Sequence, residues 1–174
     1  FEEIHHLILY DFAIHWFDMT QQFFQGNTAC DVFARVSRAP GQDMKPPLIA
    51  AATLQYESGM ASLLFDGHRK GESREALSIC GSRGSYQASG SVCGGETVRL
   101  LTAEGESFPS LEGTWFVDGF AGAMGELLCS IEEDRQPSNS AWNNLESLSV
   151  CFAAIRSADT GKPVKPGDGN SIEN

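Results

Sequence analysis

The first patterned stretch of the chain repeats with the period of a helix. From about Asp11 to Gln25, at about 100° per residue, polar and apolar positions separate into two faces. The polar row falls within an arc of about 60° and consists of Asp11, His15, Asp18 and Gln22. The apolar face contains Phe12, Trp16, Phe17, Met19, Phe23 and Phe24. This pattern predicts a helix that buries its aromatic face and ends at Gly26-Asn27.

The middle of the chain changes to the two-residue period of strands. Six strands are predicted, at 29–38, 48–56, 59–65, 76–80, 85–89 and 97–102. Short turns separate most of them, and the three prolines within 39–47 predict a loop there. Because no segment long enough for a crossover helix lies between consecutive strands, we expect them to pair antiparallel.

The last third returns to the helical period. A helix is predicted over 115–133, with a buried face formed by Phe116, Phe120, Met124, Leu127 and Ile131. Residues 138–140 offer a cap for a further helix, which Gly161 and Pro163 end. The inner face predicted for that helix consists of Leu145, Leu148, Phe152 and Ile155.

This order of elements predicts an α+β fold. We expect an open, predominantly antiparallel sheet of about six strands, with helices covering one face. A chain of 174 residues suits one domain, over 1–164, followed by a flexible tail over 165–174. No GxGxxG fingerprint is present, and Gly81-Ser82-Arg83-Gly84 lacks that spacing, so no Rossmann domain is expected in this chain.

Charge and composition exclude several classes of partner. The formal net charge of −11 argues against nucleic acid, which requires clustered Lys and Arg. No apolar run approaches the roughly 20 residues of a membrane-spanning helix, so no membrane partner is expected. The five cysteines lack CxxC spacing and favour reduced thiols, which indicates a cytoplasmic protein. Because the sequence begins with Phe1 and shows no signal peptide, we expect a further segment upstream.

The polar row of the first helix carries the candidate chemistry. His15 can exchange a proton near neutral pH, and Asp11, one turn earlier, can orient it as a general acid or base requires. The same spacing also fits an ordinary solvated pair. Asp18 is expected to orient His15 or its helix. Metal binding would need these residues to converge with His5 and His6, and no metal site is predicted.

Four motifs in this order resemble the Gfo/Idh/MocA oxidoreductases. The carboxy-terminal domain of that family opens with a D-x-G-x-H-x-x-D helix, which is similar to Asp11, His15 and Asp18. Its G-(ST)-x-G turn matches 81–84, and its F-x-x-A-I-x-x-G-x-x-P helix resembles 127–137. Its last motif, A-x-x-S-A-x-x-G-x-P-V, matches within 153–164. One departure is Ala13, which stands where the motif usually has Gly.

The resemblance implies a specific function. Family members oxidise or reduce sugars, inositols and related polyols with NAD or NADP, and His15 and Asp11 would be the catalytic residues, supported by Asp18. The nucleotide would be bound by an amino-terminal Rossmann domain, which also supplies the lysine of an E-K-P motif that this sequence does not contain. The chain by itself is therefore expected to bind no dinucleotide and to be inactive.

Two alternative functions remain open at this point. One is an NAD-dependent glycoside hydrolase of the same family, which uses the same cofactor chemistry. The other is a non-catalytic module for binding or oligomerisation. In either case the second face of an open sheet needs a partner or a polar surface, so we expect a homodimer or a higher homo-oligomer formed through that face.

Overall fold

The computed structural model describes residues 1–24, 27–71, 74–91 and 94–168. The fold is α+β with antiparallel strands, as predicted. A π-helical turn, Ile8–Ala13, precedes three α-helices: α1 (Ile14–Phe23), α2 (Val117–Glu132) and α3 (Ala141–Thr160). The strands are β1 (Asp31–Ser37), β2 (Ile49–Tyr56), β3 (Gly59–Asp66), β4 (Glu75–Gly81), β5 (Gly84–Ser91), β6 (Gly94–Thr102) and β7 (Gly105–Ser107).

The chain divides into two compact units. The first combines Phe1–Arg69 with Ser140–Asn174, and the second is Lys70–Asn139. Where one sheet of about six strands was predicted, the structure has two sheets, in the orders β1-β2-β3 and β4-β5-β6-β7. The additional strand, β7, is only three residues long, too short for its alternation to be recognised in the sequence.

The three-stranded sheet of the first unit forms as its alternation predicts. Tyr56 pairs with Gly59 across the turn at Glu57-Ser58, and β1 pairs with β2 from Asp31 to Ser37. One face of this sheet is buried in the core through Val32, Ala34, Ala50, Ala52, Leu54, Tyr56 and Phe65. The π-helical turn, α1 and α3 supply the rest of the core with Leu9, Ala13, Phe17, Val150, Cys151, Ala153 and Ala154. Helices therefore cover one face of this sheet.

Residues of α3 and of the chain that follows it satisfy the outer edge of β1. Ser157 Oγ accepts a hydrogen bond of 2.9 Å from Ala34 N and donates one of 2.7 Å to Lys162 O. Val32 and Val164 exchange two backbone hydrogen bonds of 2.9 Å. Few backbone N–H groups at this edge of β1 are therefore left to pair with a strand of another chain.

The loop between β1 and β2 is organised around one buried amide. Gln42 Nε2 donates hydrogen bonds of 2.7 Å to Met44 O and Pro46 O, and its Oε1 accepts from Ala39 N and Leu48 N at 3.3 Å. All the bonding capacity of the side-chain amide is used, which compensates for its burial.

The second unit is a meander of four strands followed by α2. Gly81 and Gly84 close the β4–β5 turn, as the G-S-R-G motif predicts. Gly84 has a φ of +154°, and a Cβ at this position would lie 2.2 Å from Leu101 O on β6. No side chain larger than hydrogen fits there without a backbone shift.

The faces predicted for α1 and α3 were wrong in part. In α1, Phe17 is buried, but Phe12 and Phe23 are each 44% exposed. The buried row is Leu9, Ala13, Phe17, Thr20 and Gln21, which lies beside the predicted aromatic row on the helix surface. In α3, the predicted Leu145 is 52% exposed, and the buried side chains are Ser147, Val150, Cys151, Ala153, Ala154 and Ser157. Small residues face inward because they let α3 approach the sheet closely.

The face predicted to be buried on α2 was also wrong. Its exposed fractions are 63% for Phe116, 63% for Phe120, 55% for Met124, 39% for Leu127 and 69% for Ile131. Helical periodicity shows that a face is apolar but does not show that an element of the same unit covers it. The predicted bounds of the helix, 115–133, agree with Val117–Glu132 to within two residues.

Some predicted features lie outside the described residues. These are the end of the first helix at Gln25 and Gly26, Cys93, and residues 169–174 of the predicted tail. The tail residues that are described form a turn, in which Asp168 O accepts a hydrogen bond of 2.6 Å from Arg156 Nη1. Within the described ranges, no helix has both the length and the apolar character needed to cross a bilayer.

Candidate active site on the opening helix

The candidate catalytic residues lie on either side of a change in helix type. Asp11 is in the π-helical turn, and His15 is in the first turn of α1. The π-helical turn packs against α3, where Cys151 Sγ donates a hydrogen bond of 3.3 Å to Leu9 O. Burial raises the pKa of Cys151 to about 12, so the thiol remains protonated and available as the donor. Single π-helical turns occur frequently at functional sites because they displace side chains from the regular helical phase.

Asp11 and His15 are both exposed. Among the described residues, no hydrogen bond or ion pair joins Asp11 to His15, and neither side chain is held by another polar group. The edge of the His15 ring meets the Trp16 ring at a centroid distance of 6.1 Å, and Trp16 stacks on Phe12 at 4.5 Å. The His15 imidazole is therefore accessible beside two aromatic rings, and the Asp11 carboxylate is accessible four positions earlier on the same segment.

Asp18 faces away from this pair. It is half-buried, and its Oδ1 accepts a hydrogen bond of 2.7 Å from Ser147 Oγ on α3. The contact joins the middle of α1 to α3. Of the two roles expected for Asp18, the geometry corresponds to orienting the helix and not to a direct contact with His15.

A second polar cluster, which we call the histidine cluster, consists of His5, His6 and Asp159. Asp159 Oδ1 lies 2.7 Å from His5 Nε2 and 2.8 Å from His6 Nε2. The two imidazole rings are 3.9 Å apart between centroids. His6 is buried, whereas His5 and Asp159 are exposed. The last turn of α3 thus meets the segment that precedes the π-helical turn.

The electrostatics of the histidine cluster follow from burial and hydrogen bonding. Burial lowers the pKa of His6 by more than the hydrogen bond that His6 donates to Asp159 raises it, which favours the neutral imidazole. Burial by itself would raise the pKa of Asp159, but the hydrogen bonds from His5 and His6 outweigh that effect and hold the pKa below its usual value. The carboxyl group is therefore ionised at neutral pH.

No pattern in the sequence places Asp159 beside the two histidines. The sequence suggests His5 and His6 as metal ligands only together with residues of the opening helix. Within the described part of the chain, no cluster with metal-ligand spacing includes Asp11, His15 or Asp18. Asp159 is separated from His5 by 154 positions and occupies a variable position of the last motif.

The residues of the other motifs have structural roles. Gly84 closes the turn described above, and Ser157 joins α3 to β1. Gly161 ends α3 with a φ of 69°, and its N–H donates a hydrogen bond of 2.8 Å to Ser157 O.

Comparison with solved structures shows where this fold occurs. An oxidoreductase from Agrobacterium radiobacter, in complex with NAD+, L-tartaric acid and magnesium, is 18% identical, with a TM-score of 0.76 over 91% of this chain and 48% of that chain. An aldose-aldose oxidoreductase from Caulobacter crescentus, complexed with glycerol, is 18% identical, with a TM-score of 0.73 over 92% and 47%.

The WlbA dehydrogenase from Bordetella pertussis, in complex with NADH and UDP-GlcNAcA, is also 18% identical. Its TM-score is 0.64 over 88% of this chain and 43% of that chain. The present chain therefore spans about half the length of the solved structures that it matches. The comparison with curated proteins gave no match.

The sequence itself matches a family model. Residues 5–165 match the Gfo/Idh/MocA model described as the oxidoreductase family, C-terminal alpha/beta domain. The match covers nearly the whole chain and includes the opening helix, both sheets and the last motif. The resemblance inferred from four short motifs is thereby confirmed: the chain belongs to the Gfo/Idh/MocA oxidoreductase family and is its carboxy-terminal α/β domain.

Proposed function

We propose that this domain binds a sugar, an inositol or a similar polyol in an NAD(P)-dependent oxidoreductase that interconverts a hydroxyl and a carbonyl group. The observation that carries the proposal is the exposed pair of Asp11 and His15 on the family's opening helix. The similar structures with L-tartaric acid, glycerol and UDP-GlcNAcA support this substrate class, since each of these ligands carries several hydroxyl groups.

In the proposed reaction, His15 moves the proton. The neutral imidazole accepts the proton of the substrate hydroxyl as the carbon that bears it is oxidised, and the imidazolium returns a proton in the reverse reaction. Asp11 accepts a hydrogen bond from a substrate hydroxyl and stabilises the imidazolium by its charge. Asp18 keeps α1 fixed on α3 through Ser147, which holds His15 in place.

The chain's own residues suit the substrate and not the phosphates of the cofactor. Asp11 would repel a pyrophosphate, and the sequence has no glycine-rich fingerprint to bind one. NAD or NADP supplies a hydride acceptor or donor when bound. We therefore assign nucleotide binding to a part of the full-length protein other than this chain.

We further propose that the protein forms a homodimer or a higher homo-oligomer through the open face of the three-stranded sheet. That face lies opposite the helices and exposes Phe33 (37%), Met60 (61%) and Leu64 (78%). Ala51 of β2 lies beside Leu64, and Thr53 lies beside Phe33. Large apolar side chains exposed on the sheet face opposite the helices are typical of an interface.

The proposed role of His15 can be tested in the full-length protein with polyol substrates and NAD+ or NADP+. We expect His15→Ala to lower turnover by roughly 10²–10⁴-fold, because the transition state loses its proton acceptor. The fold should remain intact, since His15 is exposed and makes no polar contact within the described residues. Steady-state kinetics measure the loss, and circular dichroism checks the fold.

His68→Ala is the matched control, because it removes an imidazole from the loop after β3 and should leave turnover within a few-fold of the wild type. Turnover of His15→Ala close to the wild-type value would refute the assignment. Release of free sugar from a glycoside, with no net oxidation, would identify a glycoside hydrolase in place of a dehydrogenase.

A further inference from the structure

We propose that the histidine cluster is a binding site for a divalent transition-metal ion, with Zn²⁺ as the best-fitting ion. Two imidazole nitrogens and a carboxylate oxygen, from His5, His6 and Asp159, lie within 4.8 Å of one another. The ion would fasten the segment before the π-helical turn to the end of α3. The proposal does not depend on the proposed oxidoreductase activity.

The spacing of the donor atoms is close to that of a tetrahedral zinc site. With Zn–N and Zn–O distances of about 2.0–2.1 Å, neighbouring ligand atoms are about 3.3–3.4 Å apart. The observed Nε2···Oδ1 distances are 2.7 and 2.8 Å. Outward movements of about half an ångström, within the reach of side-chain rotation, would therefore admit an ion.

The buried Nδ1 of His6 can take the ring proton when Nε2 coordinates an ion. No hydrogen-bond partner for Nδ1 lies among the described residues. No group at Nδ1 therefore opposes a change of tautomer, in which the proton moves from Nε2 to Nδ1 and leaves the Nε2 lone pair for the ion. Without an ion, both imidazoles must direct an N–H at the same oxygen atom.

The backbone holds the two rings in an uncommon arrangement. His6 has a φ of +47°, in the left-handed region that a residue with a side chain seldom occupies. Its carbonyl oxygen accepts hydrogen bonds from Leu9 N and Tyr10 N at 2.8 and 3.1 Å, which fixes the conformation. Such conformations concentrate at functional sites, where the surrounding structure maintains them. Here the result is that two adjacent side chains converge on one distant carboxylate.

The donor types select the class of ion. Imidazole nitrogen suits Zn²⁺ and its neighbours in the first transition series, whereas Mg²⁺ and Ca²⁺ prefer sets of oxygen ligands. Three protein ligands leave one tetrahedral position, which water can occupy because His5 and Asp159 are exposed. We expect Cu²⁺ to bind more tightly than Zn²⁺, in accordance with the usual order for such donors.

The expected consequence of binding is stabilisation of the first unit. The ligands are 153 and 154 positions apart in the sequence, so an ion that binds only the folded state cross-links the two segments from which the unit is built. At a Zn²⁺ concentration a hundred times the Kd, the folding equilibrium constant should rise about a hundredfold.

The test is a calorimetric titration of the chelator-treated full-length protein with Zn²⁺, together with thermal unfolding in Zn²⁺ and in EDTA. We expect His5→Gln and Asp159→Asn each to weaken binding at this site by at least about tenfold and to remove the rise in Tm. Both side chains are exposed, so these variants should fold. The buried His6→Gln variant is a supporting measurement only.

His68→Gln is the matched control, because it removes a histidine outside the cluster and should leave Zn²⁺ binding unchanged. Binding through exposed thiols is distinguished with Co²⁺, since thiolate ligands add strong near-ultraviolet absorption that nitrogen and oxygen ligands lack. The proposal is overturned if the wild type binds no Zn²⁺, if both exposed variants bind as the wild type does, or if the Co²⁺ complex shows thiolate absorption that survives in those variants.

Discussion

Gly84 illustrates how a single position can be set by a neighbouring strand. The turn it closes needs only two tight residues between β4 and β5, but its α-carbon also faces the backbone of β6. The carbonyl oxygen of Leu101 occupies the space that a side chain would need. Glycine is therefore required at this position of the motif because a third strand packs against its α-carbon.

We predict that Gly84→Ala destabilises the protein by about 2–3 kcal/mol, because the added methyl group meets a backbone oxygen and the φ of +154° is unfavourable for alanine. The measurement is chemical denaturation at equilibrium. Gly81→Ala is the matched control on the other side of the turn, where a Cβ would have an ordinary contact of 3.7 Å. Equal effects of the two substitutions would contradict this reason.

At the residue scale, the sequence identified residues whose role depends on local chemistry. The glycines of the turn and of the end of α3 were predicted, as was a helix cap within 138–140, which is Ser140, whose Oγ accepts a hydrogen bond from Asn143 N. Residues whose partners are distant in the sequence were missed. Asp159, Gln42 and Ser157 belong to this group, because no local pattern shows which backbone or side-chain atoms the fold will bring beside them.

At the scale of elements, the end of α2 is fixed by an ionic cluster. Glu126 accepts hydrogen bonds from Arg135 Nη1 at 2.7 Å and Nη2 at 3.0 Å, and from Ser138 N at 2.6 Å. These bonds, with the guanidinium contributing most, lower the pKa of Glu126 to about 2. These hydrogen bonds hold the segment after α2, through Arg135 and Ser138, against Glu126 within the helix.

We predict that the stabilisation supplied by the hydrogen bonds of Glu126 depends on pH. Because the pKa of Glu126 is lower in the folded state than its ordinary value of 4.5, its contribution to stability is complete above about pH 4.5. The contribution is lost as the pH falls towards about 2. Thermal unfolding of the wild type and Glu126→Gln should therefore differ at pH 7 and converge near pH 2.

The matched control for this experiment is Glu132→Gln, which removes a carboxylate from the exposed end of the same helix. We expect its Tm to follow that of the wild type across the pH range. A constant difference between the wild type and Glu126→Gln down to pH 2 would show that the carboxylate acts by packing and not by charge.

Elements were easier to predict than the faces they bury. Periodicity located each helix and six of the seven strands, because period depends on backbone geometry that neighbouring residues share. The faces depend on tertiary contacts. The buried row of α1 lies beside the predicted one, small side chains replaced the expected leucines in α3, and the apolar face of α2 is exposed. None of these outcomes follows from apolar spacing alone.

At the scale of the whole molecule, the proposed interface can be tested by a single charge. We predict that Leu64→Lys converts the homo-oligomer to a monomer, because each copy would bury an unpaired ammonium group in the interface. Sedimentation velocity at several concentrations of the full-length protein measures the change. A wild type that sediments as a monomer at high concentration would refute the proposed assembly.

Leu111→Lys is the control for this substitution. Leu111 is also an exposed leucine, at 54%, but it belongs to the second unit and not to the three-stranded sheet. We expect the sedimentation of this variant to match that of the wild type. Dissociation by both variants would indicate a general effect of added charge instead of a specific interface.

Because the first unit is built from both ends of the chain, it can be completed during biosynthesis only after the second unit has been synthesised. The first 69 residues contain the whole three-stranded sheet, but α3 and Asp159, which complete the unit, follow only after the second unit. At about 5–20 residues per second, a ribosome needs roughly 5–18 s to add these 90 or so residues. During that interval, β1 presents Val32 and Ala34 without α3 and the segment after it, which supply Val164 and Ser157 as their hydrogen-bond partners. A chaperone that binds apolar strands would therefore have its longest opportunity before α3 emerges.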